Sequence, residues 1–227
     1  MRTGLSILAV VVVASNLLAC ATPMMDLKPN QPGIYDLQSG DRVEEAAFLT
    51  RLQTVDVVIV GESHDSEQDH DFQLKLYQGL TGNASWRLGM EMFQRPFQPA
   101  LNRYIAGDIS EEVMLKEARY EERWGFEVGL YSPLWRHALA THNSIDALNV
   151  RKELTKRVSA VGLDALTKWE QADVPEVVEG PPEYAKWLRA VFASHGMTLD
   201  DARFRRFFQA QLLWDETMAD TVWNLSL

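Results

Sequence analysis

The sequence predicts an α/β protein with a mainly parallel sheet, flanking helices and a helical insertion subdomain. Three observations lead there. Asp56-Val57-Val58-Ile59-Val60 is a continuous β-branched run, the pattern of a strand buried on both faces. A second apolar run, Trp86 to Phe93, follows it with one helix-patterned segment between them, as in a βαβ unit. From Phe97 to Asn143 the signals are helical throughout.

The chain begins with Arg2 and an apolar stretch from Leu5 to Leu18, shorter than the ~20 residues of a spanning helix. It fits the apolar region of an export signal. The stretch ends in Leu17-Leu18-Ala19-Cys20, which resembles the lipobox of bacterial lipoproteins. Residues 1–19 are therefore expected to be a signal peptide, with Cys20 acylated. The alternative is an uncleaved anchor with an incidental cysteine. Ala21 follows in place of an aspartate, which by sorting rules favours the outer membrane over the inner. Cys20 is the one cysteine, so no intramolecular disulfide forms. Residues 20–33, with Pro23, Pro29, Pro32 and Gly33, are expected to tether a domain over 34–227.

Within that domain the first strand ends at Gly61, and Asp65-Ser66 cap a helix expected over 66–80, closed by Gly79 and Gly82. Pro96 halts the second strand. Helices are expected at 97–106, 110–120 (capped by Ser110) and 133–142, an insertion of about 97–143. Ile145 to Val150 is a third strand, followed by helices at 151–170, 182–194 and 200–224.

The formal charge of −10 becomes −11 once Arg2 is removed with the leader. Such an excess of acid argues against nucleic acid or an anionic lipid surface as a partner.

Chemistry-bearing residues gather where strands end. Gly61-Glu62-Ser63-His64 leaves the first strand at its carboxyl end, the place where open α/β sheets bind ligands. Glu91 sits between Met90 and Met92, where burial demands a partner. If the two strands are neighbours, ~4.8 Å apart, Glu62, His64 and Glu91 meet. Two carboxylates beside an imidazole suit a divalent metal, a general base with its orienting acid, or a polar clamp. The alternative is that Glu62 caps a helix and Glu91 satisfies backbone. His70 falls within the apolar arc of its helix and points inward, as a core residue or a ligand. His137, His142 and His195 read as surface or packing residues. In the last helix Gln211 and Asp215 lie amid an apolar face of Phe204, Phe208, Leu212 and Met218, so they must be paired. Reaching into the cleft and holding its strands are both open.

Gly61-Glu62-Ser63-His64 with Asp65 and His70, and Gly89-Met90-Glu91-Met92-Phe93 with Gln98-Pro99-Ala100-Leu101, recur in order with three further pieces. These are Tyr131-Ser132-Pro133-Leu134, Ala147-Leu148-Asn149, and Gln211-x-x-Trp214-Asp215-x-x-Met218-Ala219. Together, over residues 34–224, they resemble the ChaN-like haem-binding lipoproteins of the Tiki superfamily. The resemblance implies an α/β domain with a helical subdomain and a role in haem or iron acquisition at the cell envelope. It also implies self-association around haem and an outer-membrane haem receptor as partner. His64, His70 and Tyr131 become candidate haem-binding residues, with Asn149, Gln211 and Asp215 in support. Trp124, Phe126 and Trp135 surround Tyr131 in sequence and suit a flat macrocycle or ordinary core packing. The superfamily pattern has a second Gly-x-x-His motif on a late strand, and this sequence has none. A C-terminally truncated chain or a divergent homologue is expected. Relatives in the wider superfamily include hydrolases, so the competing reading is a metal-dependent hydrolase using Glu62, His64 and Glu91. No Cys-x-x-Cys-His motif attaches haem covalently.

Overall fold

A computed structural model describes residues 6–10, 32–82, 85–194 and 200–226, with 6–10 as backbone. Cys20, the tether up to residue 31, most of the expected leader and His195 lie outside the described residues. The elements are β1 (Ser6–Val10), β2 (Ile34–Tyr35), β3 (Arg42–Val43), α1 (Glu45–Leu52), β4 (Val57–Ile59), α2 (Glu67–Thr81) and β5 (Trp86–Gln94). They continue with α3 (Gln98–Ile105), α4 (Glu111–Glu117), α5 (Tyr120–Arg123), α6 (Val128–Ala140) and β6 (Ile145–Asn149). Last come α7 (Lys152–Val161), α8 (Lys168–Gln171), α9 (Pro182–Ser194) and α10 (Asp201–Ser226). The mixed α/β class is as expected. No described helix is long and apolar enough to cross a membrane.

The sheet has the order β4-β1-β5-β6, and β1 is parallel to β4 with Leu8 opposite Val58. Two expectations are corrected here. β4 and β5 are not neighbours, because a strand from the expected leader lies between them. The apolar, β-rich run Ile7-Leu8-Ala9-Val10 suits a parallel strand as well as an export signal, so composition alone does not separate the two. Nor is β4 buried on both faces. It lies at the edge of the order, and Ile59 is 64% exposed while Val58 is buried. The second expected strand is β5, and there every residue but Arg87 is buried.

The chain divides into two compact units. The first holds residues up to Gly89 with Phe126–Ile145, and the second holds Met90–Gly125 with Asp146–Leu225. The helices expected in the insertion are shared out accordingly, α3 to α5 in the second unit and α6 in the first.

In the first unit Ser66 caps α2 by accepting from the Asp69 backbone N–H at 3.3 Å, with Glu67 and Asp69 favourably placed in the first turn. The helix continues through Gly79 to Thr81, and Leu49 of α1 packs closely against that glycine. A Cβ at Gly79 would meet the leucine Cδ2 at 2.9 Å. α2 packs on α6, where Tyr77 meets His137 edge-on, and Leu76 and Leu80 of α2 and Leu134, Trp135 and Ala138 of α6 are buried. α6 starts at Val128, five residues before the expected start, and carries Pro133 inside it. Its hydrophobic face outweighs the one hydrogen bond the proline forfeits.

In the second unit α7 stops at Val161, short of the expected 170, because Gly162 takes φ +87°. α10 packs against α7 through Leu154, Val158, Ala210 and Leu213, and against α9 through Leu188, Phe204, Phe208 and Leu212.

Candidate functional site

In the first unit, the loop between β4 and α2 is folded onto the start of α2. The Ser63 N–H donates to Asp69 Oδ2 at 2.7 Å, and the Ser66 N–H donates to the Ser63 carbonyl at 2.8 Å. This turn brings Glu62 and His64 up to His70, and α6 supplies Tyr131 from the other side. The Glu62 side chain is fully out of solvent. Its Oε1 accepts from the Tyr131 hydroxyl at 2.7 Å and lies 3.1 Å from His64 Nδ1. Its Oε2 lies 2.9 Å from His70 Nδ1.

A carboxylate buried this way is sustained only by its donors. The proton positions follow from the partners. His70 Nε2 faces the His64 carbonyl at 3.2 Å, and a carbonyl only accepts, so that nitrogen carries hydrogen. Its Nδ1 then faces Glu62 Oε2 across 2.9 Å, although without the alignment of a regular hydrogen bond.

The rings complete the arrangement. His70 meets Tyr131 edge-on at 4.4 Å, and His64 lies tilted against Phe126 at 4.5 Å. His70 and Tyr131 are buried, whereas His64 keeps 22% of its side chain exposed. Glu62 thus holds Nδ1 of His64 and fixes the orientation of a partly exposed ring. A carboxylate on the far nitrogen orients an imidazole and raises its basicity, which is how proteins support histidine ligands of metals.

Other expected site residues fall elsewhere. Glu91 is buried in the part of β5 that belongs to the second unit. Its expected meeting with Glu62 and His64 rested on adjacent strands, and β1 intervenes. Among the described residues no group of three or more His, Cys, Asp or Glu side chains is arranged to hold a metal ion. The metal set Glu62, His64 and Glu91 therefore gains no support. Asn149 donates Nδ2–H to the Glu91 carbonyl at 3.0 Å and accepts from the Val150 N–H at 2.8 Å, tying β6 to β5. Gln211 and Asp215 are paired, as expected of polar groups on an apolar face. Gln211 Nε2 donates to Asp215 Oδ1 at 3.0 Å, and the Tyr184 hydroxyl donates to Asp215 Oδ2 at 2.7 Å, so they join α10 to α9. Burial raises the Asp215 carboxyl above its ordinary pKa, against the lowering effect of these two bonds.

His137 packs edge-on against Tyr77 and pairs with Thr81 Oγ1 at 2.8 Å, and burial lowers its pKa. His142 is exposed. Of the aromatic residues around Tyr131, Trp135 is core. Phe126, expected near Tyr131 as a face for a macrocycle or as core, lies against His64. Asp69 was not foreseen as part of the site, although an acid three residues past Ser66 could have signalled it.

Compared with known proteins, residues 48–226 match the family profile described as haem-binding uptake, Tiki superfamily, ChaN. The chain belongs to the ChaN family. No curated protein sequence matches it. Among solved structures it is similar to the one described as cofacial heme binding to ChaN of Campylobacter jejuni, with a TM-score of 0.67. That likeness covers 83% of this chain and 73% of the other at 14% identity, which speaks to a shared ChaN fold.

Proposed function

We propose that this ChaN-family protein binds haem at the bacterial cell envelope and serves haem or iron acquisition, with His64 as the side chain that meets the iron. The observation that carries the reading is the setting of His64. Its ring is partly exposed beside Phe126, and its Nδ1 is turned onto the buried carboxylate of Glu62 at 3.1 Å. The donor chemistry fits haem, whose iron accepts a histidine as axial ligand. Tyr131 and His70 hold Glu62 in place, and Phe126 offers an apolar edge to a macrocycle. Bound haem would supply the iron centre. The chain's own residues supply one basic nitrogen and a fixed orientation for it.

Leu17-Leu18-Ala19-Cys20 supports the second half of the reading, a lipid anchor on Cys20 with the domain held at the outer membrane. Removal of residues 1–19 would take β1 out of the sheet, so a strand role for Ser6–Val10 belongs to the precursor. Haem binding in the Campylobacter jejuni ChaN is cofacial. We extend the reading to two copies of this chain around haem, with an outer-membrane haem receptor as the further partner. Titration of the purified protein with haemin tests the central part. A saturable Soret shift that weakens in His64→Ala supports it. No shift, or an identical shift in the variant, contradicts it.

A further inference from the structure

Gln73 of α2 is 1% exposed, and neither its Nε2 nor its Oε1 has a hydrogen-bond partner. Burying an amide without partners is costly, so such groups are rare in folded proteins. The buried stripe of α2 is otherwise His70, Leu76, Tyr77 and Leu80, and an apolar side chain in place of Gln73 would fill it without that cost. The amide therefore has a use in the first unit that packing does not account for.

Its place on the helix indicates the partner. Gln73 follows His70 by three residues, so the two buried side chains are neighbours on one face. Helical side chains lean toward the preceding turn, which carries the Gln73 carboxamide over the turn of His70. The atoms gathered there are also short of bonds. Glu62 Oε2 and His70 Nδ1 approach to 2.9 Å, yet neither makes an aligned hydrogen bond. Four buried polar atoms around one helical turn are thus left over together: Glu62 Oε2, His70 Nδ1 and both ends of the Gln73 amide. Clusters of this kind are where proteins hold internal water, which takes roughly two to four polar partners. An amide offers it both a donor and an acceptor, and a carboxylate oxygen offers a second acceptor.

We propose that Gln73 is a positioning residue for the Glu62–His64 pair, tied to Glu62 Oε2 by one internal water. The amide and its water fix Oε2, and through it Oε1, which lies 3.1 Å from His64 Nδ1. Gln73 thereby sets the orientation of a ring two partners away. Its bearing on haem rests on the reading of His64 as the iron ligand, whereas its tie to Glu62 does not.

In the wild-type full chain, NMR cross-relaxation between a long-lived water and the Gln73 side-chain amide protons is expected, and its absence overturns the proposal. Gln73→Met keeps an unbranched side chain and removes both polar ends. Replacing an amide that served nothing would raise the denaturant midpoint, because a buried orphan is lost. Replacing a water-linked amide lowers the midpoint, which is the expected result. The His64 ring signals, assigned by their loss in His64→Ala, should also shift in Gln73→Met while far-UV circular dichroism stays that of the wild type. A midpoint that rises or stays, or His64 signals that do not move, overturns the proposal. Haemin separates it from the reading on which it builds. Where the wild type binds haemin, Gln73→Met should raise the Kd several-fold, and an unmoved Kd contradicts the positioning role. Where the wild type binds none, the haem reading fails, and the water contact, the midpoint and the His64 signals still decide the tie to Glu62.

Discussion

Tyr131 and Glu62, from α6 and from the loop after β4, share a 2.7 Å hydrogen bond out of contact with solvent. Tyr131→Phe removes the donor and leaves a charged oxygen short of one bond. The expected cost is about 1.5–3 kcal/mol of folding stability, read as a lower denaturant midpoint at unchanged slope. A loss below a few tenths would show that water replaces the hydroxyl and that the cluster is looser than described.

His64 and His70 bind the same carboxylate but should respond differently to alanine. His70 is buried, so His70→Ala leaves a cavity and an under-partnered Glu62, at a cost of about 2 kcal/mol or more. His64→Ala truncates a partly exposed ring and should cost less stability while costing more ligand affinity. Parallel denaturant melts and haemin titrations of the two variants read this split, and equal losses in both assays would contradict it.

The Tyr184–Asp215 bond fastens α9 to α10, so Tyr184→Phe is expected to cost about 1–3 kcal/mol. The pH dependence of this carboxyl has its own sign. Burial raises the folded pKa of Asp215 above the unfolded value, so the folded state holds the proton more tightly. Its contribution to stability therefore falls as pH rises from the unfolded value of 3.8 toward the higher folded one. Asp215→Asn should flatten the stability profile there, and thermal melts from pH 3 upward (roughly one unit apart) would show an unchanged profile if the assignment is wrong.

Glu153 has the opposite sign. Its hydrogen bonds to Arg123 depress its carboxyl from 4.5 to about 2. The stability it contributes is present above the unfolded value of 4.5 and is lost as pH falls toward about 2. The carboxylate is mostly exposed, so solvent screening holds the effect to about 1 kcal/mol or less. Wild type and Glu153→Gln should differ at neutral pH and converge in acid. Curves that stay parallel to pH 2 would count against the pair.

Cys20→Ser should abolish acylation and release the protein from membranes. The intact mass of the wild-type protein from envelope fractions should lack residues 1–19. Recovery of the full-length mass would instead keep Ser6–Val10 as a resident strand.

Legibility in the sequence followed the range of the forces involved. β5, α2 and α9 were readable because their signals are local: continuous burial, the Ser66 cap, and the Pro182 start. Glu62, His64 and His70 were readable because a short turn joins them, and Tyr131 entered through the family motif. Strand order was not readable, since pairing is decided between distant segments and Ile7–Val10 suits two fates. The early start of α6 was masked by Pro133, a residue that ordinarily opens a helix. Gln211 and Asp215 were rightly expected to be paired, but their partner Tyr184 lies on another helix, beyond the reach of a wheel.

The account turns on His64 as the iron ligand held by Glu62, and chemical rescue tests it most directly. His64→Gly is titrated with haemin in the absence and presence of free imidazole. The account predicts a lost Soret shift that imidazole restores in His64→Gly and leaves unchanged in the wild type. A glycine variant that binds haemin with the wild-type spectrum, with no response to imidazole, would contradict it.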